Sequence, residues 1–94
     1  MSVYVDPAMD HGWRLGPSCH LFADTLEELH VFAARIGMKP HWFQDKPSLP
    51  HYDLTLTKRA RAVNLGAIEM SRRDAVLKWR EIRALRAPHL LEAP

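Results

Sequence analysis

The chain has 94 residues, 47% hydrophobic and 26% charged, a balance typical of one folded domain and unlike that of a disordered chain. It lacks the run of about 18 apolar residues that a membrane-spanning helix needs, and Cys19 is its single cysteine, which excludes an internal disulfide and any multi-cysteine zinc site. The net charge of +2 hides an asymmetry, because residues 1–54 carry four basic and seven acidic side chains and residues 55–94 carry nine and four.

Residues 2–5, Ser-Val-Tyr-Val, are β-branched and aromatic and run into Asp6-Pro7, so they read as a strand that delivers Asp6 to its carboxyl end. Residues 7–18, with two prolines and two glycines, read as a loop. Asp6, Asp10 and His11 break the first apolar stretch, so a secretory leader is not expected and a cytoplasmic location is. A second strand is expected over residues 19–23, with His20 and Phe22 on one face.

Asp24, with Glu27 three positions on, reads as the cap of a first helix that buries Leu26, Leu29, Ala33 and Ile36 and ends at Gly37. Residues 38–43 suggest a short edge strand, and residues 44–53 a loop carrying His51, Tyr52 and Asp53, with Asp53 a candidate cap for the next helix. That second helix is expected from Thr55 or Leu56 to Leu65, burying Leu56, Ala60 and Val63 and stopping at Gly66. Residues 67–70 fit a fourth strand. Ser71, with Asp74 three positions on, opens a third helix that carries Val76, Trp79, Ile82 and Leu85 inward. The expected fold is therefore α/β: one domain over residues 1–87, with about four short, mostly parallel strands, three helices packed on them, and a loose tail over residues 88–94.

Five of the six histidines fall within the first 53 residues, together with seven carboxylates, and these are the side chains that bind divalent metals or move protons near neutral pH. No standard metal motif is present, so a site has to be assembled from separate segments. His20, Asp24 and His51 are the candidate metal ligands, and His20 and His51 the candidate catalytic bases. Asp6, Asp53, Trp42 and Tyr52 are candidate ligand contacts, with Lys58 and Arg59 positioned to offset phosphate charge. Each has a structural alternative: Asp24 and Asp53 as helix caps, Asp6 as a turn former, His20 as a satisfied core histidine, Trp42 as core or interface. Covalent catalysis has thin support, since no nucleophile elbow occurs and Cys19 and His20 point to opposite faces of a strand.

As a set, Val3-Tyr4-Val5-Asp6, the Cys19 to Asp24 segment leading into Leu26-Glu27-Glu28-Leu29-His30, Trp42-Phe43-Gln44 and Pro50-His51-Tyr52-Asp53 resemble a small bacterial and phage family, domain-of-unknown-function family 4031. The resemblance runs from residue 2 to about 70, and includes Lys58 and Leu65-Gly66-Ala67. It implies a self-contained domain with a shared site and names no reaction. The sequence thus supports, first, a His/Asp pocket for a phosphate-bearing small molecule or nucleotide, with a divalent metal and hydrolysis as the chemistry if it is an enzyme. The competing reading is a non-catalytic module whose basic second half (Lys58, Arg59, Arg61, Arg72, Arg73, Lys78, Arg80, Arg83, Arg86) holds nucleic acid or an acidic protein. A third is a homodimer joined through Trp13, Trp42 and Phe43. No membrane partner is expected.

Overall fold

A computed structural model describes residues 2–86, and the tail expected over residues 88–94 lies outside them. In chain order the elements are β1 (Val3–Val5), β2 (Ser18–Ala23), α1 (Leu26–Arg35), a 3₁₀ turn (Pro40–Trp42), β3 (Gln44–Asp45), β4 (Pro50–Thr55), α2 (Leu56–Asn64), β5 (Ile68–Glu69) and α3 (Arg72–Arg86). The strands form one five-stranded sheet in the order β3-β4-β2-β1-β5.

That sheet is mixed and mostly antiparallel, which corrects the expectation of a mostly parallel one. β1 with β2, β2 with β4 and β3 with β4 pair antiparallel, and β1 with β5 is parallel. The reason lies in the connections. Parallel neighbours need a crossover of a dozen or more residues, usually helical. The loop between β1 and β2 has no helix, and only a short turn separates β3 from β4, so both chains fold straight back. The segment read as a loop over residues 44–53 supplies β3 and most of β4, while Pro40 sits at the start of a 3₁₀ turn instead of on an edge strand.

Alternation in β2 and β4 sorts side chains to two faces. On one, Cys19, Leu21, Tyr52 and Leu54 join Val5 under α1 and α2, which contribute Leu29, Phe32, Ala33, Ile36 and Ala62. On the other, Tyr4 and Phe22 meet Ala75 and Ile82 of α3, with Trp79 half-buried beside them. Helices thus cover both faces. Leu85, expected inward, is 76% exposed, and in α2 the buried residue is Ala62, with Leu56 52% exposed.

The helix ends follow local chemistry, with one shift. Thr25, not Asp24, caps α1: its hydroxyl oxygen accepts the Glu28 N–H at 3.2 Å, and its O–H donates to the Glu28 carboxylate at 3.0 Å. Asp24 is committed elsewhere, accepting from the Ser2 N–H at 2.8 Å and the Tyr4 hydroxyl at 2.9 Å. Thr55 caps α2 through the Lys58 N–H, which leaves Asp53 free to face another way. Ser71 caps α3, accepting the Asp74 N–H at 3.1 Å. Gly37 and Gly66 end α1 and α2 at φ +84° and +108°, the left-handed backbone that lets Met38 and Ala67 donate back to Ala33 and Ala62.

Candidate functional site

His20 lies directly opposite Asp53 in the β2–β4 ladder, and Gln44 of β3 lies opposite His51. Cross-strand partners share a face, and a residue two positions along is the diagonal neighbour. Antiparallel register therefore sets His20, His51, Asp53 and Gln44 on the same surface of the sheet, the one that carries α3. The ligating atoms of His20, His51 and Asp53 all lie within 4.8 Å of one another. The two imidazoles meet edge to face, with ring centroids 4.8 Å apart.

Both imidazoles are held by their Nδ1 atoms. His20 Nδ1 bonds Asp6 Oδ2 at 2.7 Å, and Asp6 Oδ1 accepts the His20 backbone N–H, also at 2.7 Å. His51 Nδ1 donates to the Leu49 carbonyl at 2.8 Å. A carboxylate and a carbonyl can only accept, so Nδ1 carries a proton in each ring, and in the neutral imidazole Nε2 is the nitrogen with the free lone pair. His51 Nε2 is 3.4 Å from Asp53 Oδ1. The other Asp53 oxygen accepts a short hydrogen bond from the Gln44 amide, which aims the carboxylate. The hydrogen bond His20 donates to Asp6 raises the pKa of His20, against the opposing pull of burial.

Asp6 itself is 6% exposed, at the end of β1. Its backbone carbonyl accepts from Arg59 Nε at 3.0 Å, while Arg59 Nη1 reaches Glu69 at 3.0 Å. Arg59 thus braces Asp6 from behind. Lys58 is likewise tied to the fold, donating from Nζ to the Ile36 carbonyl at 2.8 Å, on the wall of a neighbouring cleft that it shares with Asp53 and Trp42.

Of the residues read from the sequence, the structure brings His20, His51 and Asp53 together with Asp6 behind them. It separates two others. Asp24 is held by Ser2, Tyr4 and, at 3.9 Å, Lys78, and it is not among the clustered ligands. Tyr52 points into the opposite face, where its hydroxyl bonds His30 Nδ1 at 2.8 Å, as alternation with His51 and Asp53 requires. Gln44, the Leu49 carbonyl, Trp13, Trp79, Arg80 and Arg83 also border the cluster and were not singled out for it in the sequence. Their proximity depends on strand pairing and on where α3 lies, and neither leaves a local signal.

The cluster opens into two clefts. One, of about 360 Å³, lies toward Trp13 and Ser18; the other, of about 380 Å³, lies under α3, where Trp79, Arg80 and Arg83 form its wall. Trp79 meets His20 edge to face at 5.6 Å, and its buried Nε1–H has no hydrogen-bond partner among the described residues. The buried Cys19 thiol, pushed up to about 12 chiefly by desolvation, is on the opposite face.

Fold and cluster together define a small mixed α/β domain with a partly buried His-His-Asp group on one face of its sheet. The chain belongs to the DUF4031 family, described as a protein of unknown function, whose profile matches residues 3–82. The match extends past the residues that carried the resemblance in the sequence and takes in most of α3. No curated protein and no solved structure matches the chain. Among the described residues, no helix is long and apolar enough to cross a membrane.

Proposed function

We propose that His20, His51 and Asp53 hold a divalent metal ion that binds and hydrolyses a phosphate-bearing small molecule. The observation that carries this reading is the orientation of the two imidazoles. Metal-ligating histidines almost always donate their other ring nitrogen to a carboxylate or a carbonyl, and here both Nδ1 atoms already do so, toward Asp6 and Leu49. A histidine serving only the core has no need to lie edge to face against a second imidazole with a carboxylate beside both.

Three protein ligands, two imidazoles and one carboxylate, are the set found where a metal keeps open positions for water and substrate. An ion held there would lower the pKa of bound water, to about 7 in the most favourable zinc enzymes. Arg80 and Arg83, on the cleft wall beside His20 and His51, are placed to offset the charge of a phosphate. Three of the chain's other candidate cations are less free for an extended polyanion. Lys58, Arg59 and Lys78 are engaged with Ile36, with Asp6 and Glu69, and with Glu81, which thins the basic surface that the nucleic-acid reading requires.

Calorimetric titration of the purified protein with Mn²⁺ and Zn²⁺ tests the site. One ion per chain is expected, with His20→Ala, His51→Ala and Asp53→Asn each weakening binding at least tenfold while the circular-dichroism spectrum is kept. Absence of binding by the wild type, or wild-type affinity in all three variants, refutes the metal site. Phosphate release from 4-nitrophenyl phosphate that requires the metal and is lost in Asp53→Asn tests the hydrolysis separately.

A further inference from the structure

Beside Asp53, the surface holds a third cleft that the metal reading does not use. It has a volume of about 400 Å³ and an apolar wall of Trp13, Leu15, Met38 and Trp42. Three of these are exposed large hydrophobics: Trp13 at 38%, Leu15 at 56% and Trp42 at 42%. Two tryptophans kept in contact with water on one concave surface do not contribute to the core. Indole rings in that position offer flat, rigid, apolar contact area to whatever enters. Single exposed apolar residues need no explanation, but a contiguous concave group does.

The cleft is continuous with the polar cluster. Trp13, Gln44 and Asp53 border both it and the cleft that contains His20 and His51. Gln44 stands at the junction, with its amide bonded to the Asp53 carboxylate. A molecule lying between the two tryptophans therefore has one end against a metal ligand. Lys58 adds a cation to the same wall, and its hydrogen bond to the Ile36 carbonyl uses one of its three donors.

From this juxtaposition we infer that the substrate class is a planar aromatic compound bearing an oxyanion: the ring lies in the Trp13–Trp42 cleft, and the oxyanion reaches the His20–His51–Asp53 cluster. This rests on the metal reading for the identity of the second subsite. The aromatic subsite is an independent feature of the surface, and the two fail separately.

The test compares phenyl phosphate with ethyl phosphate, which carry the same anion on an aromatic and on an aliphatic group. Binding to the full-length protein is followed by calorimetry and by tryptophan fluorescence, with and without Mn²⁺. Phenyl phosphate should bind roughly tenfold or more tightly than ethyl phosphate and should change the indole emission. That preference should fall to near unity in Trp42→Ala and Trp13→Ala, both at surface positions, while Mn²⁺ affinity stays as in the wild type.

Equal affinity for the two probes overturns the inference even if Mn²⁺ binds, as does a preference that survives both substitutions. Conversion of a dimer to a monomer by those substitutions, with probe binding unchanged, overturns it as well and makes the cleft an interface between copies of this chain. If Mn²⁺ does not bind but the aromatic preference holds and depends on Trp42, the metal reading falls and the aromatic subsite stands.

Discussion

The Asp6 carboxylate grips His20 twice, accepting the backbone N–H on Oδ1 and the ring on Oδ2, each at 2.7 Å. The first contact fixes the end of β1 against β2, and the second fixes the ring's orientation and tautomer. Asp6→Asn keeps the shape but replaces one acceptor oxygen by an amide donor, which no longer holds the Nδ1–H tautomer. We expect the variant to fold and to bind Mn²⁺ about 10–100-fold more weakly, as is usual when such a supporting group is removed. Calorimetry provides the affinity and circular dichroism the fold; unchanged affinity would assign Asp6 to the sheet alone.

Alkaline pH should loosen α3. Lys78 of that helix bonds Glu81 at 2.9 Å, approaches Asp24 at 3.9 Å and lies 5.2 Å over the Tyr4 ring. Its pKa is raised, chiefly by the bond to Glu81, and that of the Tyr4 phenol is raised chiefly by burial. Both groups keep their protons in the folded protein at pH values where the unfolded chain has begun to release them. The unfolded state then binds fewer protons, so stability falls as pH rises, first above about 9 through the buried Cys19 thiol, pushed up to about 12, and further above about 10 through Tyr4 and Lys78. Urea midpoints between pH 8 and 11 should decline, and Tyr4→Phe should flatten the decline; a flat wild-type profile would remove the argument.

Thr25, one residue later than the spacing predicts, is the cap whose loss α1 should feel. Thr25→Ala removes the acceptor of the Glu28 N–H and should cost about 1 kcal/mol, read as a lower urea midpoint with an unchanged slope. Glu27→Gln, outside that contact, should leave the midpoint nearly where it is.

Gly37→Ala tests a backbone requirement. A Cβ there would sit at φ +84°, 2.8 Å from Lys58 Nζ, so the left-handed conformation is penalised by roughly 1–2 kcal/mol and the end of the lysine side chain must shift. Thermal unfolding should shift downward by several degrees, an expected few degrees per kcal/mol for a domain of this size. An unshifted midpoint would mean that the turn after α1 rearranges freely.

Features set by neighbours within one turn of chain were open to reading from the sequence. The helices, their stops at Gly37 and Gly66, the Ser71 cap and the alternation of β2 follow from spacing and from the conformational preferences of glycine and serine. Even there, the α1 cap moved from Asp24 to Thr25, because Ser2 and Tyr4, some twenty residues away, claim the aspartate. Sheet direction, strand order and register had to come from the tertiary structure, since a strand carries no local record of its partner. His20 and His51 stood out in the sequence by residue type, Asp6 as a carboxylate at the end of a strand and Asp53 as one two residues from His51. Only the pairing of His20 with Asp53 and of Gln44 with His51 turned three separate segments into one surface, and that same alternation sent Tyr52 through to the other side. Residue type was thus legible along the chain, and the direction of each side chain was decided by which strands lie side by side.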